Sequence, residues 1–243
     1  MNTAIQAITL DGLALAFLPA AVVIGIMFRW SAGAKTAAYA TLRMLIQLLL
    51  IGYVLVYIFE AERAEIIVAV LLLMLTMASW IAIRPVNKKQ PHVFRNALVA
   101  ISAGGILVLA LVSQIVIGVD PWFSPQYVVP LAGMIFAGAM NAVSLAAERL
   151  LAETDRGTPR LEARRIALQA SLIPIINSLF AVGVVALPGM MTGQILSGIS
   201  PLVAAKYQIV VMAMLFGVSG ISAALYLWLQ GRNDIRQGVA ISR

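Results

Sequence analysis

The side chains with which enzymes usually do chemistry are scarce in this sequence. It contains one histidine, His92, and no cysteine, so a zinc or haem site is not expected. None of the ten acidic residues lies in the middle of an apolar stretch, so paired buried carboxylates for acid–base catalysis are missing. His92 lies in a polar, lysine-rich stretch and is interpreted as a solvated loop residue. The sequence therefore predicts no catalytic residue, no confident metal site and no enzyme.

Polar side chains inside apolar stretches are the remaining candidates, because they are costly in lipid and usually face the interior of a helical bundle. Arg43 is the one clear charge of this kind, and Gln47 lies one helical turn further on. The Arg43 guanidinium would serve a translocation path or a subunit interface, or it would snorkel to the membrane surface. Hydrogen bonds between helices would equally account for the asparagine and serine side chains. The candidates for a translocation path or interface are Arg43, Gln47, Met134, Met140, Asn141, Asn177, Pro188, Gly189, Met190, Met191, Gly193 and Gln194.

Methionine and glycine recur among these candidates. Thioethers can bind soft metals such as Cu(I), but methionines are more often adaptable packing residues. Glycines four residues apart, as at Gly189 and Gly193, let helices approach closely. Such an approach would take place within one subunit or across a homodimer.

The elements that must position these residues follow from the composition. Of the 243 residues, 62% are hydrophobic and 11% are charged, against about 45–50% and about 25% in soluble domains. The sequence therefore predicts an all-α polytopic membrane protein with a single transmembrane domain over residues 1–243. The seven apolar stretches that could each cross a bilayer are roughly Asp11–Phe28, Ala38–Phe59, Ile66–Ile83, Ala97–Gly118, Val128–Ala147, Ser171–Met191 and Tyr207–Leu229.

The lysine and arginine residues divide unequally between the two sides of this arrangement. Arg63 and Lys206 fall on one side and the other 15 of the 17 basic residues fall on the opposite side. Because the basic side is cytoplasmic, we expect the amino terminus outside and the carboxyl terminus in the cytosol. No basic residue precedes the first span, so a cleaved signal peptide is not expected. The net charge of +7 is thus explained by topology and not by a nucleic-acid partner.

The longest polar segment between spans covers residues 148–168 and is predicted to be cytoplasmic. We expect the fifth span to continue as a polar helix that ends at Gly157 in the left-handed conformation. Thr158 is then a plausible N-cap, and Pro159 suits the first position of a second helix. This helix–turn–helix would be a basic interfacial element that fixes topology, or it would dock on a soluble partner. The chain has no Gly-Lys pair, so it lacks the phosphate-binding loop of an ATPase.

Several motifs, spread over most of the chain, resemble one family of transport proteins. In chain order they are Arg43, Gln47 and Gly52, then Pro130-Leu-Ala-Gly-Met-Ile135, then Leu187-Pro-Gly-Met-Met-Thr-Gly193, then Pro201 and Lys206-Tyr-Gln208. This set resembles the FetB-type (YbbM-like) permeases, which are the membrane subunits of an ABC transporter family implicated in iron export. Plant members of that family are associated with aluminium tolerance.

The resemblance implies a permease subunit of an ABC exporter of iron or another metal in the bacterial inner membrane. ATP and Mg would bind a separate ATPase subunit, and this chain would hold no cofactor. Its partners would be that ATPase, a second permease copy and the lipid bilayer. The residues that would couple to the ATPase are Gly157, Thr158, Pro159, Arg160, Arg164 and Arg165.

The sequence departs from the family pattern at two places. Gly138-Ala-Met-Asn141 stands where many members carry Gly-Asn-Ala-Met, and Asn177 stands where many carry an acid. A stand-alone secondary transporter or channel for a small solute is the alternative function, although such proteins generally use buried ionisable groups. A seven-helix receptor or a membrane enzyme is disfavoured, because the chain lacks a ligand-binding domain and catalytic residues.

Overall fold

The computed structural model describes residues 8–60, 63–86 and 91–236, and its side chains are described up to residue 232. Within these ranges the chain is helical, with nine α-helices, one π-helical segment and no named strand. It divides into two units, residues 1–60 and 61–243. Some of the basic residues used to predict topology, Lys88, Lys89 and Arg243, lie outside the described residues, as do the side chains of Arg236 and its neighbours. The prediction of a single domain over residues 1–243 stays a prediction.

The first unit contains three helices, α1 (Leu10–Ala16), α2 (Leu18–Arg29) and α3 (Ala34–Phe59). The hydroxyl of Thr9 caps α1 by accepting a hydrogen bond from the Gly12 N–H at 3.2 Å. Gly33 precedes α3 with a φ of 77°, which is the left-handed conformation that glycine adopts without strain. The 26 residues of α3 reach about 39 Å at 1.5 Å per residue, enough to cross a bilayer.

The second unit contains the other six α-helices and the π-helical segment. They are α4 (Ala64–Ala82), α5 (Pro91–Ala110) with its π-helical continuation Leu111–Ile117, α6 (Pro125–Asp155), α7 (Arg160–Ala181), α8 (Gly189–Leu196) and α9 (Pro201–Arg236). Helix α6 is central, because it packs against α4, α5, α7 and α9, and α9 also packs against α5, α7 and α8. The buried core of this unit is built mainly from alanine, valine, isoleucine and leucine.

Two adjacent glycines on α5 allow it to pack closely. A Cβ at Gly104 would collide with the hydroxyl of Ser222 on α9, and a Cβ at Gly105 would lie 2.8 Å from the Phe136 ring of α6. Both glycines are buried. Glycine at these positions therefore lets the backbone of α5 lie closer to α9 and α6 than any residue with a Cβ would allow.

Six helical segments in the described part of the chain are long and apolar enough to cross a membrane. They confirm six of the seven predicted spans, with longer helices than the hydropathy bounds suggested. The remaining prediction, Ser171–Met191, is wrong as one continuous span. Helix α7 ends at Ala181, Gly183 adopts a φ of 82°, and α8 starts only after Pro188. The backbone leaves the helix at Val182, so the apolar residues that follow belong to a turn and a short second helix.

Candidate docking turn and translocation cavity

The connection between α6 and α7 is a tight turn centred on Gly157. This glycine has a φ of 79° and donates its N–H to the Thr154 carbonyl at 3.0 Å. The Thr158 N–H donates to the Glu153 carbonyl at 3.1 Å. These two bonds form a Schellman motif, which satisfies carbonyls at the helix end. The predicted helix end at Gly157 is confirmed.

The predicted start of the second helix is wrong by one residue and in its capping group. Helix α7 begins at Arg160, and Pro159 occupies the N-cap position without a side-chain cap. The Thr158 hydroxyl donates instead to the Glu153 carboxylate, with 2.8 Å between Oγ1 and Oε2. In this bond the hydroxyl acts as a donor, and the ionised carboxylate is a strong acceptor for it.

Glu153 is the functional residue of this turn that the sequence reasoning missed. Its side chain is buried and lies 2.8 Å from the Arg149 guanidinium and 3.0 Å from the Arg156 guanidinium. With Thr158, it therefore has three donors from both sides of the turn. A carboxylate this buried is tolerated only when it is paired. The signal in the sequence was the spacing of four residues to Arg149 and three to Arg156, which places all three on one helical face.

The three arginines predicted to dock a partner, Arg160, Arg164 and Arg165, make different contacts. Arg160 donates to the Gly231 carbonyl, and Arg164 donates from Nε and Nη2 to the Leu227 carbonyl at 3.1 Å each. Both side chains are thus engaged with the backbone of α9. Arg165 points away, with 65% of its side chain exposed, and pairs with Glu162 at 2.7 Å. The hydrogen bond from Arg165 to Glu162 raises the pKa of the guanidinium. Arginine is charged at any physiological pH, so the turn surface carries this positive charge permanently.

The exposed residues beside the turn form a mixed apolar and basic patch. Leu161 is 80% exposed, and the Arg156 side chain is 64% exposed. Leu161, Glu162 and Arg165 also line a shallow groove between α7 and α9, together with Leu168 and Trp228. We refer to Arg156, Leu161, Glu162 and Arg165 as the turn surface. Arginine is enriched at protein interfaces, so the two exposed arginines make the turn surface a candidate docking patch.

A second site is a cavity of about 330 Å³ between α6, α7 and α9. Two of the predicted path residues, Met134 and Asn141, lie in its wall. The complete lining is Met134, Ala137, Gly138, Asn141, Ala142, Leu145, Ser171, Pro174, Ile175, Ser178, Leu215 and Ser219. The structure therefore brings together polar groups from three helices that the sequence could only identify one by one.

The lining of the cavity is mostly apolar, and its four polar side chains, Asn141, Ser171, Ser178 and Ser219, carry no charge. Its serine hydroxyls donate to backbone carbonyls: Ser171 to Leu168 at 2.8 Å, Ser178 to Pro174 at 2.9 Å, and Ser219 to Gly138 at 3.5 Å. The lone pairs of these hydroxyls, the Asn141 amide and the Met134 thioether are the neutral ligands that the cavity offers. No group of three or more His, Cys, Asp or Glu side chains lies close enough to hold a metal ion in the described part of the chain. Such a lining suits weak, transient binding of a solute and not tight binding.

The other predicted path residues lie elsewhere. Asn177 is exposed and is not part of the cavity lining, and Met140 is half-buried on α6. Pro188 occupies the N-cap position of α8, and the helix itself contains Gly189, Met190, Met191, Gly193 and Gln194. This short helix packs against α9. Arg43 and Gln47 lie one turn apart on α3, in the first unit.

Six apolar helices of membrane-spanning length, with a cavity between α6, α7 and α9, define a multi-pass helical membrane protein. The chain belongs to the UPF0014 family, described as an uncharacterised protein family, whose model matches residues 10–234. This membership confirms the resemblance drawn from the sequence motifs.

Curated relatives cover most of the chain. It is 34% identical to the Probable iron export permease protein FetB of Escherichia coli over 93% of this chain and 92% of that protein. It is 35% identical to the Protein ALUMINUM SENSITIVE 3 of Arabidopsis thaliana over 79% of this chain and 74% of that protein. The UPF0014 membrane protein YjkA of Bacillus subtilis is 34% identical over 73% of this chain and 76% of its own length. No solved structure matches the chain.

Proposed function

We propose that this chain is the membrane-spanning permease subunit of an ABC exporter and that a separate ATPase subunit drives it. The observation that carries the proposal is the turn surface: a rigid turn with an exposed leucine and exposed arginines at the end of a long transmembrane helix. A relative described as a probable iron export permease, which aligns over 93% of the chain, supports the same function.

The exported solute in this proposal is iron or another metal cation. The name of the Escherichia coli relative supports iron. The cavity between α6, α7 and α9 supports a path on which the cation is never held tightly, because its neutral oxygen and thioether groups offer no charge. A weak site favours turnover in a pump, since the solute must also leave.

The proposed assembly places the turn surface in the cytosol. The bias of basic residues supports an amino terminus outside and a carboxyl terminus inside the bacterial inner membrane. This orientation requires the 22 residues of α7 to cross the membrane as well, as a seventh span. Two copies of the chain would each bind one ATPase, which would hold ATP and Mg. Closure of the ATPases would move both turns and switch the pathway between inward-open and outward-open states, as a rigid-body transition.

Co-purification tests the docking assignment. The chain would be co-expressed with a candidate ATPase that carries the phosphate-binding loop G-x-x-x-x-G-K-[ST], sought first among the neighbouring genes. The ATPase recovered on the tagged permease would then be quantified. The double substitution Leu161→Glu with Arg165→Glu removes the exposed leucine and reverses one charge, and it should reduce recovery at least tenfold. Arg84→Glu, a charge reversal at another exposed arginine of the same unit, is the matched control and should leave recovery unchanged.

Equal recovery with the double variant and the unmodified chain would show that the turn surface is not the docking site. Arg164 is unsuitable for this experiment, because its guanidinium is engaged with α9 and its substitution would not report on the turn surface alone.

A further inference from the structure

We infer that Arg160 and Arg164 form a clamp that joins the start of α7 to α9, so that movement of the turn is transmitted through α9. Only the coupling part of this inference rests on the proposed ATPase partner. The clamp itself is a property of this chain and can be measured without a partner.

The clamp is made by charged side chains on one helix and backbone carbonyls on another. Arg164 reaches the Leu227 carbonyl through two nitrogens at 3.1 Å and the Trp228 carbonyl at 3.2 Å. Arg160, one turn earlier, donates to the carbonyl of Gly231, one turn after Leu227. A carbonyl oxygen has two lone pairs, so these groups can accept a guanidinium in addition to the helical N–H. Two consecutive turns of α7 are thus fastened to two consecutive turns of α9.

Gly231 allows the Arg164 guanidinium to lie close to the backbone of α9. This residue is buried, and a Cβ added to it would collide with the Arg164 guanidinium. No other described glycine of the chain stands against a charged group in this way. The glycine therefore makes room for the guanidinium to lie directly on the helix backbone.

The same stretch of α9 is fastened on its other side to α5. The Asn96 amide donates to the Gln230 side-chain carbonyl oxygen at 2.7 Å, and the Gln230 amide donates to the Tyr226 hydroxyl at 2.9 Å. Asn96 lies on α5 and is buried. Residues 226–231 of α9 consequently form a junction at which α5, α7 and α9 are held by directional hydrogen bonds.

Helix α9 is a continuous helical route from this junction to the cavity. Helix α7 contains Pro174, which removes one backbone hydrogen bond between the turn and the cavity. Helix α9 carries its only described proline at its first residue, Pro201, and continues uninterrupted past Ser219 in the cavity wall. Leu227 and Ser219 are separated by about 12 Å along the helix at 1.5 Å per residue. A displacement of the turn would therefore reach the cavity wall through the clamp and α9.

Spin-label distance measurements test the clamp on the full chain without a partner. The natural sequence has no cysteine, so labels can be placed at Leu161→Cys and Ala224→Cys alone. We expect a narrow distance distribution between α7 and α9, broadened by Arg164→Gln and by Gly231→Ala. Arg95→Gln, which removes an exposed arginine on α5, is the control and should leave the distribution narrow. Distributions that stay unchanged in both clamp variants would overturn the inference.

Reconstitution with the ATPase tests the transmission. Arg164→Gln and Gly231→Ala should still co-purify with the ATPase and retain ATP hydrolysis, while solute transport per ATP falls at least fivefold. If either variant fails to fold, Arg160→Gln, which removes the hydrogen bond to the Gly231 carbonyl, offers the same measurement. Transport per ATP that equals that of the unmodified chain would contradict transmission through the clamp. Failure of the unmodified chain to bind any ATPase would refute the proposed function and leave the spin-label result as the test of the clamp.

Discussion

At the residue scale, the turn between α6 and α7 depends on side chains that form a hydrogen bond and ion pairs with one another. Glu153 is the centre, because its carboxylate receives the Thr158 hydroxyl and two guanidiniums while it is buried. The left-handed Gly157 closes the backbone around it. The turn is therefore preformed and can present Leu161 without ordering cost at the moment of binding.

The first prediction concerns Glu153. Glu153→Gln should lower the melting temperature of the purified chain by several degrees, because a neutral amide binds the two guanidiniums and the Thr158 hydroxyl more weakly than the buried carboxylate does. Glu162→Gln is the control, since it breaks only the exposed pair with Arg165, and such pairs contribute little to stability. Thermal unfolding in detergent or nanodiscs measures both. Equal melting temperatures for Glu153→Gln and the unmodified chain would contradict the role of Glu153.

The sequence predicts part of this turn, and the rest could not be predicted for a physical reason. The end of α6 at Gly157 follows from local chemistry, because glycine adopts the left-handed conformation at low cost. The hydrogen bond from the Thr158 hydroxyl to Glu153 depends on the conformation of the turn, which brings the two side chains together. The engagement of Arg164 with Leu227 spans 63 positions of sequence, so no local pattern reveals it. Only Arg165 keeps the exposed role that the sequence suggested for all three arginines.

At the scale of elements, hydropathy predicts helices well where apolar residues are continuous. Six spans agree with this prediction. The seventh fails because hydropathy averages over Gly183 and Pro188, which take the chain out of the helix between α7 and α8. The cavity lies beside Pro174 of α7, where α6, α7 and α9 meet. Its lining could not be predicted, because it depends on which helices are neighbours.

The second prediction concerns the packing of α5 on α6. Gly105→Ala should lower the free energy of unfolding by about 1–3 kcal/mol, because the added methyl lies 2.8 Å from the Phe136 ring and overpacks the interface between the helices. Gly217→Ala, on α9, meets no atom within 4 Å and is the matched control. It should be neutral or slightly stabilising, since alanine favours a helix over glycine. A Gly105→Ala variant as stable as the control would show that α5 and α6 do not pack closely there.

The third prediction concerns the cavity. Asn141→Leu should reduce transport at least fivefold while leaving the melting temperature within a degree or two, because Asn141 is an exposed polar group in the cavity wall. Asn177→Leu removes the same amide at an exposed position outside the lining and should have a smaller effect. Transport assays on the reconstituted chain and its ATPase measure the difference. A larger loss for Asn177→Leu would place the path elsewhere.

At the scale of the whole molecule, the proposed transporter divides its work between two chains. In this proposal the chain supplies membrane helices, a cavity on the path and a docking turn, and it contains no Gly-Lys pair with which to build a phosphate-binding loop. Some of the basic residues behind the +7 charge hold the turn and join α7 to α9. The uncharged cavity agrees with a pump that binds its cation weakly.

Metal efflux from proteoliposomes tests the central claim most directly. The chain would be reconstituted alone and with the ATPase, each with and without ATP, and the movement of Fe²⁺ would be followed with an indicator. We predict flux only when both proteins and ATP are present, and loss of that flux when the phosphate-binding lysine of the ATPase is replaced. Flux of the same size from the chain alone, driven by an ion gradient, would contradict the account and identify a secondary transporter or channel.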